Sequence, residues 1–296
     1  MKIHIVEPMS LSAKQKARLS KLGEVKYFEG VPDADELLKR AEGADILAAD
    51  WAPIDAAIPR MKPGIKLISF PFTGVGFLPL KEAAANGIKI ANSPGYSTES
   101  VGEFGIGLML ALVRKLYSYA RGEPNPEVAR SLYGKTIGIL GAGSIGEYVG
   151  KLAKSFGMRV VFWKRGEDIS KVLKGADIIY CALPLSDKTK GLLGDKEFAL
   201  MKNGAYFVTT SHNLIYTHEA LLKALDRNLA GAAMDLEGTN SGDYNAEAYL
   251  KFKNHPKVLV TPHVAFKTDY ALKRGYDIMI DNIEAFVEGK PINIVN

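Results

Sequence analysis

Residues 135–165 read KTIGILGAGSIGEYVGKLAKSFGMRVVFWKR, and this stretch decides the fold. Gly141, Gly143 and Gly146 stand in the spacing G-x-G-x-x-G. They follow the apolar run TIGIL and open an amphipathic segment that ends near Gly157 and leads into a second apolar run. The spacing alone is weak evidence. Between a strand and a helix, inside a strand–helix–strand unit, it has the full context of a dinucleotide-binding turn. Gly141 permits the tight turn, Gly143 lets the backbone approach a pyrophosphate, and Gly146 lets helix and strand pack closely. The helix start at Ser144 and Ile145 offers unpaired N–H groups and a positive dipole end to the phosphates.

The end of the next strand selects between the two nicotinamide dinucleotides. An acidic residue about 20 positions on would bind the ribose 2′-hydroxyl of NAD. Lys164 stands 164 − 146 = 18 residues beyond the last motif glycine, Arg165 follows at once, and the run RVVFWKR carries no carboxylate. Two cations there suit a 2′-phosphate, so the expected cofactor is NADP(H) in preference to NAD(H). The bland alternative is two exposed basic residues with a relaxed preference.

The alternation of short β-like runs with helical segments extends along the chain. KIHIVE, DILAAD, KLISFPF and IKIANSPG come before the motif, and DIIYCALP, AYFVTT, GAAMDL and VLVTPH come after it. That pattern predicts α/β architecture with parallel sheets, in two Rossmann-like or flavodoxin-like units. A long apolar helix is expected from Thr98 to Ala120, ended by RGEPN. Its Gly102, Gly105 and Gly107 cost up to about 1 kcal/mol each relative to alanine, which implies close neighbours. The final helical stretch should return to the first unit. The expected domains are therefore 1–96 plus 267–296, and 97–266.

Composition narrows the class. The 296 residues are 47% hydrophobic and 24% charged, with 38 basic and 33 acidic residues giving a formal charge of +5. No run of like charges forms a nucleic-acid arm, and the basic balance suits small anionic substrates. The single cysteine, Cys181, precludes an internal disulfide and reads as a structural thiol in a strand. MKIHIVEPMS reads as a strand start, and no apolar stretch nears the roughly 18 residues of a membrane span. The expectation is a cytoplasmic protein without nucleic-acid or membrane partners. The five histidines lack ligand spacing, so no metal is expected.

With GAGSIG, the segments NSPGYSTESVGE, LPLSDKT, MKNGAYFV, GAAMDL and TPHVAFKT appear in order. Together they make the chain resemble the D-isomer-specific 2-hydroxyacid dehydrogenase family, of the glyoxylate, hydroxypyruvate and glycerate type, over nearly its whole length. The resemblance implies an active site in an interdomain cleft, a small 2-oxo or 2-hydroxy acid as substrate, and a homodimer formed through the cofactor domain. It places Thr98 and Val101 at the nicotinamide, Asp235 on its carboxamide, and Leu183, Pro184, Thr189 and Thr210 along the cofactor. Thr73, Gly74 and Val75 would hold the substrate carboxylate by their amides. Trp51 either lines the substrate side or packs in the core. His263, in TPHVA, is the expected acid/base, a role suited to a group that titrates near neutral pH.

Two positions depart from the family pattern. Aligned without a gap from Gly204-Ala205 to Ala220-Leu221, the family's substrate-gripping arginine falls on His212, the next glycine on Asn213, and an aspartate on Thr217. Histidine carries charge only when protonated, so the expectation is partial replacement with activity improving as pH falls. The glutamate that pairs with the family's histidine falls on Asn240. Glu237 and Asn240 remain alternative partners for His263. The leading reading is a reductase. A non-catalytic dinucleotide sensor and an enzyme with an altered substrate are its competitors.

Overall fold

The computed structural model describes residues 1–122, 128–236 and 242–296. In chain order the first elements are β1 (Lys2–Ile5), α1 (Ala13–Ser20), β2 (Glu24–Tyr27), α2 (Ala34–Ala41), β3 (Ile46–Ala48), α3 (Ile54–Ala57), β4 (Leu67–Ser69), α4 (Leu80–Ala85) and β5 (Lys89–Ala91). Next come α5 (Thr98–Val113), α6 (Leu116–Ala120), β6 (Thr136–Leu140), α7 (Ser144–Ser155), β7 (Arg159–Trp163), α8 (Ile169–Gly175) and β8 (Ile178–Cys181). The chain closes with α9 (Asp195–Ala199), β9 (Ala205–Thr209), α10 (His218–Arg227), β10 (Leu229–Asp235), α11 (Glu247–Lys253), β11 (Val258–Thr261) and α12 (Asp269–Val287).

Two compact units result: residues 1–97 with 268–296, and residues 98–267. The first holds a parallel sheet in the order β2-β1-β3-β4-β5. Its faces are covered separately. Leu47 and Ile68 pack with Leu37, Ile54 and Ile58, while Ile46, Ala48 and Leu67 pack with Leu19, Met279, Ile280 and Ile283. Burial on both faces explains why these strands read as continuous apolar runs. Strand β2 is the exception that the sequence reading passed over. It is a four-residue edge strand, EVKY, in which only Val25 is partly buried, so it carries too little apolar signal to be seen.

The second unit holds the parallel order β11-β10-β9-β8-β6-β7. Counted from its own first strand it repeats the 2-1-3-4-5 order of the first unit and adds a sixth strand. In such sheets ligands bind outside the C-terminal strand ends, where the order reverses. Here that point lies between β6 and β8, at the Gly141 turn. The expected single helix from Thr98 to Ala120 is two helices. Lys115, at φ 52°, interrupts the helical path between α5 and α6. Close neighbours do meet two of the three glycines: an added Cβ at Gly105 would lie 2.3 Å from the Tyr180 hydroxyl, and one at Gly102 would lie 2.5 Å from Tyr148. Gly107 faces open space.

Candidate active site

The Gly141 turn fits a dinucleotide pyrophosphate. Gly141 adopts φ +106°, and an added Cβ there would lie 2.7 Å from the Ala182 carbonyl, with Leu183 against it at 3.1 Å. At Gly146 a Cβ would lie 2.0 Å from the Gly141 carbonyl oxygen. Gly143 alone of the three faces open space, so the backbone there is accessible to a ligand. It is also the N-cap of α7, where no side chain caps the helix, and the first-turn amides of Ser144, Ile145 and Gly146 are left available to an anion.

At the end of β7, Lys164 and Arg165 are both exposed. A carboxylate does reach the tip, contrary to the sequence reading. The turn folds back so that Glu167 Oε2 accepts the Lys164 amide at 3.0 Å, while the Trp163 indole donates to the Glu167 carbonyl at 2.9 Å. Three residues separate this acid from the strand end, and only the reversal of the turn brings it back.

Other expected cofactor positions have their hydroxyls engaged within the protein. Thr189, 3% exposed, donates to the Pro184 carbonyl at 2.7 Å and accepts the Ser186 amide at 2.8 Å, which closes the loop after β8. The Thr210 hydroxyl lies 2.8 Å from that of Tyr180. Both shape the loops at the switch point. Val101 is buried in α5, and Thr98 opens that helix.

The clearest construction is the turn after β11. Asp235 ends β10, is 2% exposed, and accepts three hydrogen bonds. Its Oδ1 receives the Thr261 hydroxyl at 2.6 Å and the Val264 amide at 2.9 Å, and its Oδ2 receives the Ala265 amide at 2.8 Å. The clamp encloses His263, which adopts φ +54° and sets its ring edge-on to Phe266 at 5.3 Å. A non-glycine residue at positive φ costs free energy and persists only where its surroundings enforce it. The sequence reading puts Asp235 on the nicotinamide carboxamide; here both its oxygens accept from Thr261, Val264 and Ala265 and so hold the turn that carries His263.

His212 begins the short 3-10 turn Asn213–Ile215 after β9. Its Nδ1 accepts the Leu214 amide at 3.1 Å, which fixes the lone pair on Nδ1 and the proton on Nε2. Burial first, and the charge of His263 second, push its pKa down from the usual 6.5. The imidazolium expected from sequence is thus disfavoured. The bond from the Leu214 amide suits a neutral ring, which leaves Nε2 as its donor. Glu237 and Asn240, the alternative partners of His263, lie outside the described residues.

Within the first unit, Thr73 Oγ1 donates to the Ser93 carbonyl at 2.8 Å, and Asn92 Nδ2 donates to the Thr73 carbonyl at 2.8 Å. These bonds fix the loop after β4. The amides of Thr73, Gly74 and Val75 meet no acceptor among the described residues. Trp51 is 59% exposed, which excludes the core-packing alternative. No group of histidine, cysteine, aspartate or glutamate among the described residues could hold a metal ion. No helix among them is long and apolar enough to cross a membrane.

Comparison with known proteins bears on the family and the fold. Residues 106–265 match the family described as D-isomer specific 2-hydroxyacid dehydrogenase, NAD binding domain. A glycerate dehydrogenase of Methylorubrum extorquens is 33% identical over 293 residues, covering 92% of each chain. Among solved structures, a Thermus thermophilus protein superposes with a TM-score of 0.83 at 30% identity over the whole of both chains. An acyclic imino acid reductase in complex with NADPH and D-Arg superposes with a TM-score of 0.83 at 26% identity, again over both chains in full. The glycine turn, the doubled parallel sheets and these likenesses lead to one assignment: the chain belongs to the D-isomer specific 2-hydroxyacid dehydrogenase family.

Proposed function

We propose that the chain is an NADP(H)-dependent reductase that interconverts a small 2-oxo acid and its D-2-hydroxy acid, of the glyoxylate, hydroxypyruvate and glycerate type. The observation that carries this reading is the Asp235 clamp, which sets His263 at positive φ within electrostatic range of His212. In this reading, the amides of Thr73, Gly74 and Val75 bind the substrate carboxylate. His263 donates a proton to the carbonyl oxygen during reduction and recovers it in the reverse direction. His212 donates a neutral hydrogen bond from Nε2, where the family's arginine would bring a charge. The amides of the α7 N-terminus hold the pyrophosphate, and Lys164 with Arg165 takes the 2′-phosphate. When bound, the reduced nicotinamide supplies the hydride. The relative crystallised with NADPH is consistent with this cofactor choice.

We also infer a homodimer through the second unit, where Leu116, Tyr117 and Tyr119 are each more than half exposed. The decisive assay follows oxidation of NADPH and of NADH with glyoxylate and with hydroxypyruvate. The expected result is turnover with NADPH preferred, and a preference reduced about 10-fold or more in Lys164→Ala/Arg165→Ala through loss of charge-assisted bonds. Preference for NADH in the unaltered chain would overturn the cofactor reading. NADPH binding without turnover would favour a sensor or an altered substrate, as the neutral His212 allows.

A further inference from the structure

Two carboxylates adjoin at the C-terminal edge of the first unit's sheet, in very different surroundings. Glu7, just past β1, is 2% exposed. One of its oxygens accepts the amides of Asp50 at 2.7 Å and Ala52 at 2.8 Å, and the other accepts that of Trp51 at 3.0 Å. Glu7 is thereby satisfied and holds the turn after β3. Asp50, in that turn, has a carboxylate with one long contact, 3.5 Å from the Tyr276 hydroxyl. Burial first, and the charge of Glu7 second, push its carboxyl up to about 7. Glu7 from the end of β1 and Tyr276 from α12 are the charged and titratable groups that face it. No Lys, Arg or His among the described residues pairs with it.

Asp50 is only partly buried, so its carboxylate keeps acceptor capacity for a donor from outside the protein. Within the fold it gains no backbone amide, because Glu7 takes those of the turn. The position of Asp50 indicates where donors would come from. β3 and β4 pair in parallel with Ala48 opposite Ser69, so the Asp50 turn and the Thr73–Val75 loop leave adjacent strands at the same edge. That is the edge at which open parallel sheets bind ligands. Trp51, next to Asp50 in the chain, and Phe77, two residues beyond Val75, are both exposed.

We propose that Asp50 is a specificity-determining residue, whose carboxylate accepts a hydrogen bond from a hydroxyl on C3 of the 2-oxo acid held by the Thr73–Val75 amides. This inference rests on the 2-oxo acid reductase reading above. It selects hydroxypyruvate over pyruvate, which has the same skeleton without the hydroxyl. Both acids are monoanions, so repulsion by Asp50 cancels in their ratio and the hydrogen bond remains.

The test is the ratio of kcat/KM for hydroxypyruvate to that for pyruvate, followed from about pH 5.5 to 8.5 in the unaltered protein and in Asp50→Ala and Asp50→Asn. Ionisation of Asp50 strengthens the bond, so the ratio should rise about 10-fold with a midpoint near 7. In Asp50→Ala it should fall about 10- to 100-fold and lose its pH dependence. Asp50→Asn keeps an acceptor oxygen without the titration and should give an intermediate, flat ratio. A ratio flat with pH in the unaltered protein, or unchanged by Asp50→Ala, overturns the inference. The pH series needs no variant, so a misfolded substitution does not obscure the answer. Failure of the underlying reading looks different: a folded, NADPH-binding protein would reduce neither acid, and the inference would fall with it.

Discussion

At the scale of single residues, the proposed reaction divides its polar chemistry between His212 and His263. The Leu214 amide occupies the Nδ1 lone pair of His212, and protonation would break that bond. Burial and the neighbouring His263 act in the same direction. Because the folded chain binds this proton less readily than the unfolded chain, the associated stability is present above pH 6.5 and is lost as pH falls below it. Nitrogen chemical shifts at pH 7 should therefore show His212 neutral with its proton on Nε2, whereas an imidazolium signal would refute the neutral-donor reading. His212→Gln keeps an uncharged donor and should retain far more activity than His212→Ala, with kcat/KM as the readout. For His263, asparagine is the informative replacement, because it tolerates positive φ while removing the acid. His263→Asn should keep its melting temperature within a few degrees and lose about 10²- to 10⁴-fold in kcat. Retained activity would remove His263 from the mechanism.

At the scale of elements, the β6–α7 connection holds the tightest of the described glycines in the second unit. A Cβ at Gly146 would fall 2.0 Å from the Gly141 carbonyl, a backbone atom that cannot rotate away. Gly146→Ala must push α7 off the turn, at a cost of about 1–3 kcal/mol by overpacking. It should lower the melting temperature and weaken NADPH binding together. Gly143→Ala has room for its Cβ, so it should weaken NADPH binding with little thermal cost. Equal melting losses for the two would contradict this division. The break between α5 and α6 belongs to the same scale. Nothing in LALVRKLYSYA marks a stop, since neither glycine nor proline interrupts it, and the left-handed backbone at Lys115 is what ends the first helix.

For the whole molecule, the exposed side chains of Leu116, Tyr117 and Tyr119 bear on assembly. Light scattering at micromolar concentration should report a dimer, and Leu116→Glu/Tyr119→Glu should shift it toward monomer without unfolding either unit. A monomeric unaltered chain would refute the homodimer proposal.

How far the sequence reaches follows from the range over which each property is set. The glycine spacing, the apolar strands and the family segments are local, because backbone φ and side-chain periodicity are imposed within a few residues. They were sufficient for two parallel α/β units and for the positions of His212 and His263. Weakly patterned pieces escaped: β2, too polar to register as a strand, and Glu167, returned to the β7 tip by a turn. Protonation and hydrogen bonding are different in kind. Glu7 binds amides 43 to 45 residues away, and Asp235 binds amides 29 and 30 residues away. Only the packing of parallel strands brings such groups together, so the partly buried setting of His212 beside His263, the clamped turn at His263 and the placing of Asp50 beside Glu7 were decided by tertiary structure. The sequence by itself determined where the site residues stand along the chain. Desolvation and long-range partners, which no local pattern encodes, determined the state in which they stand there.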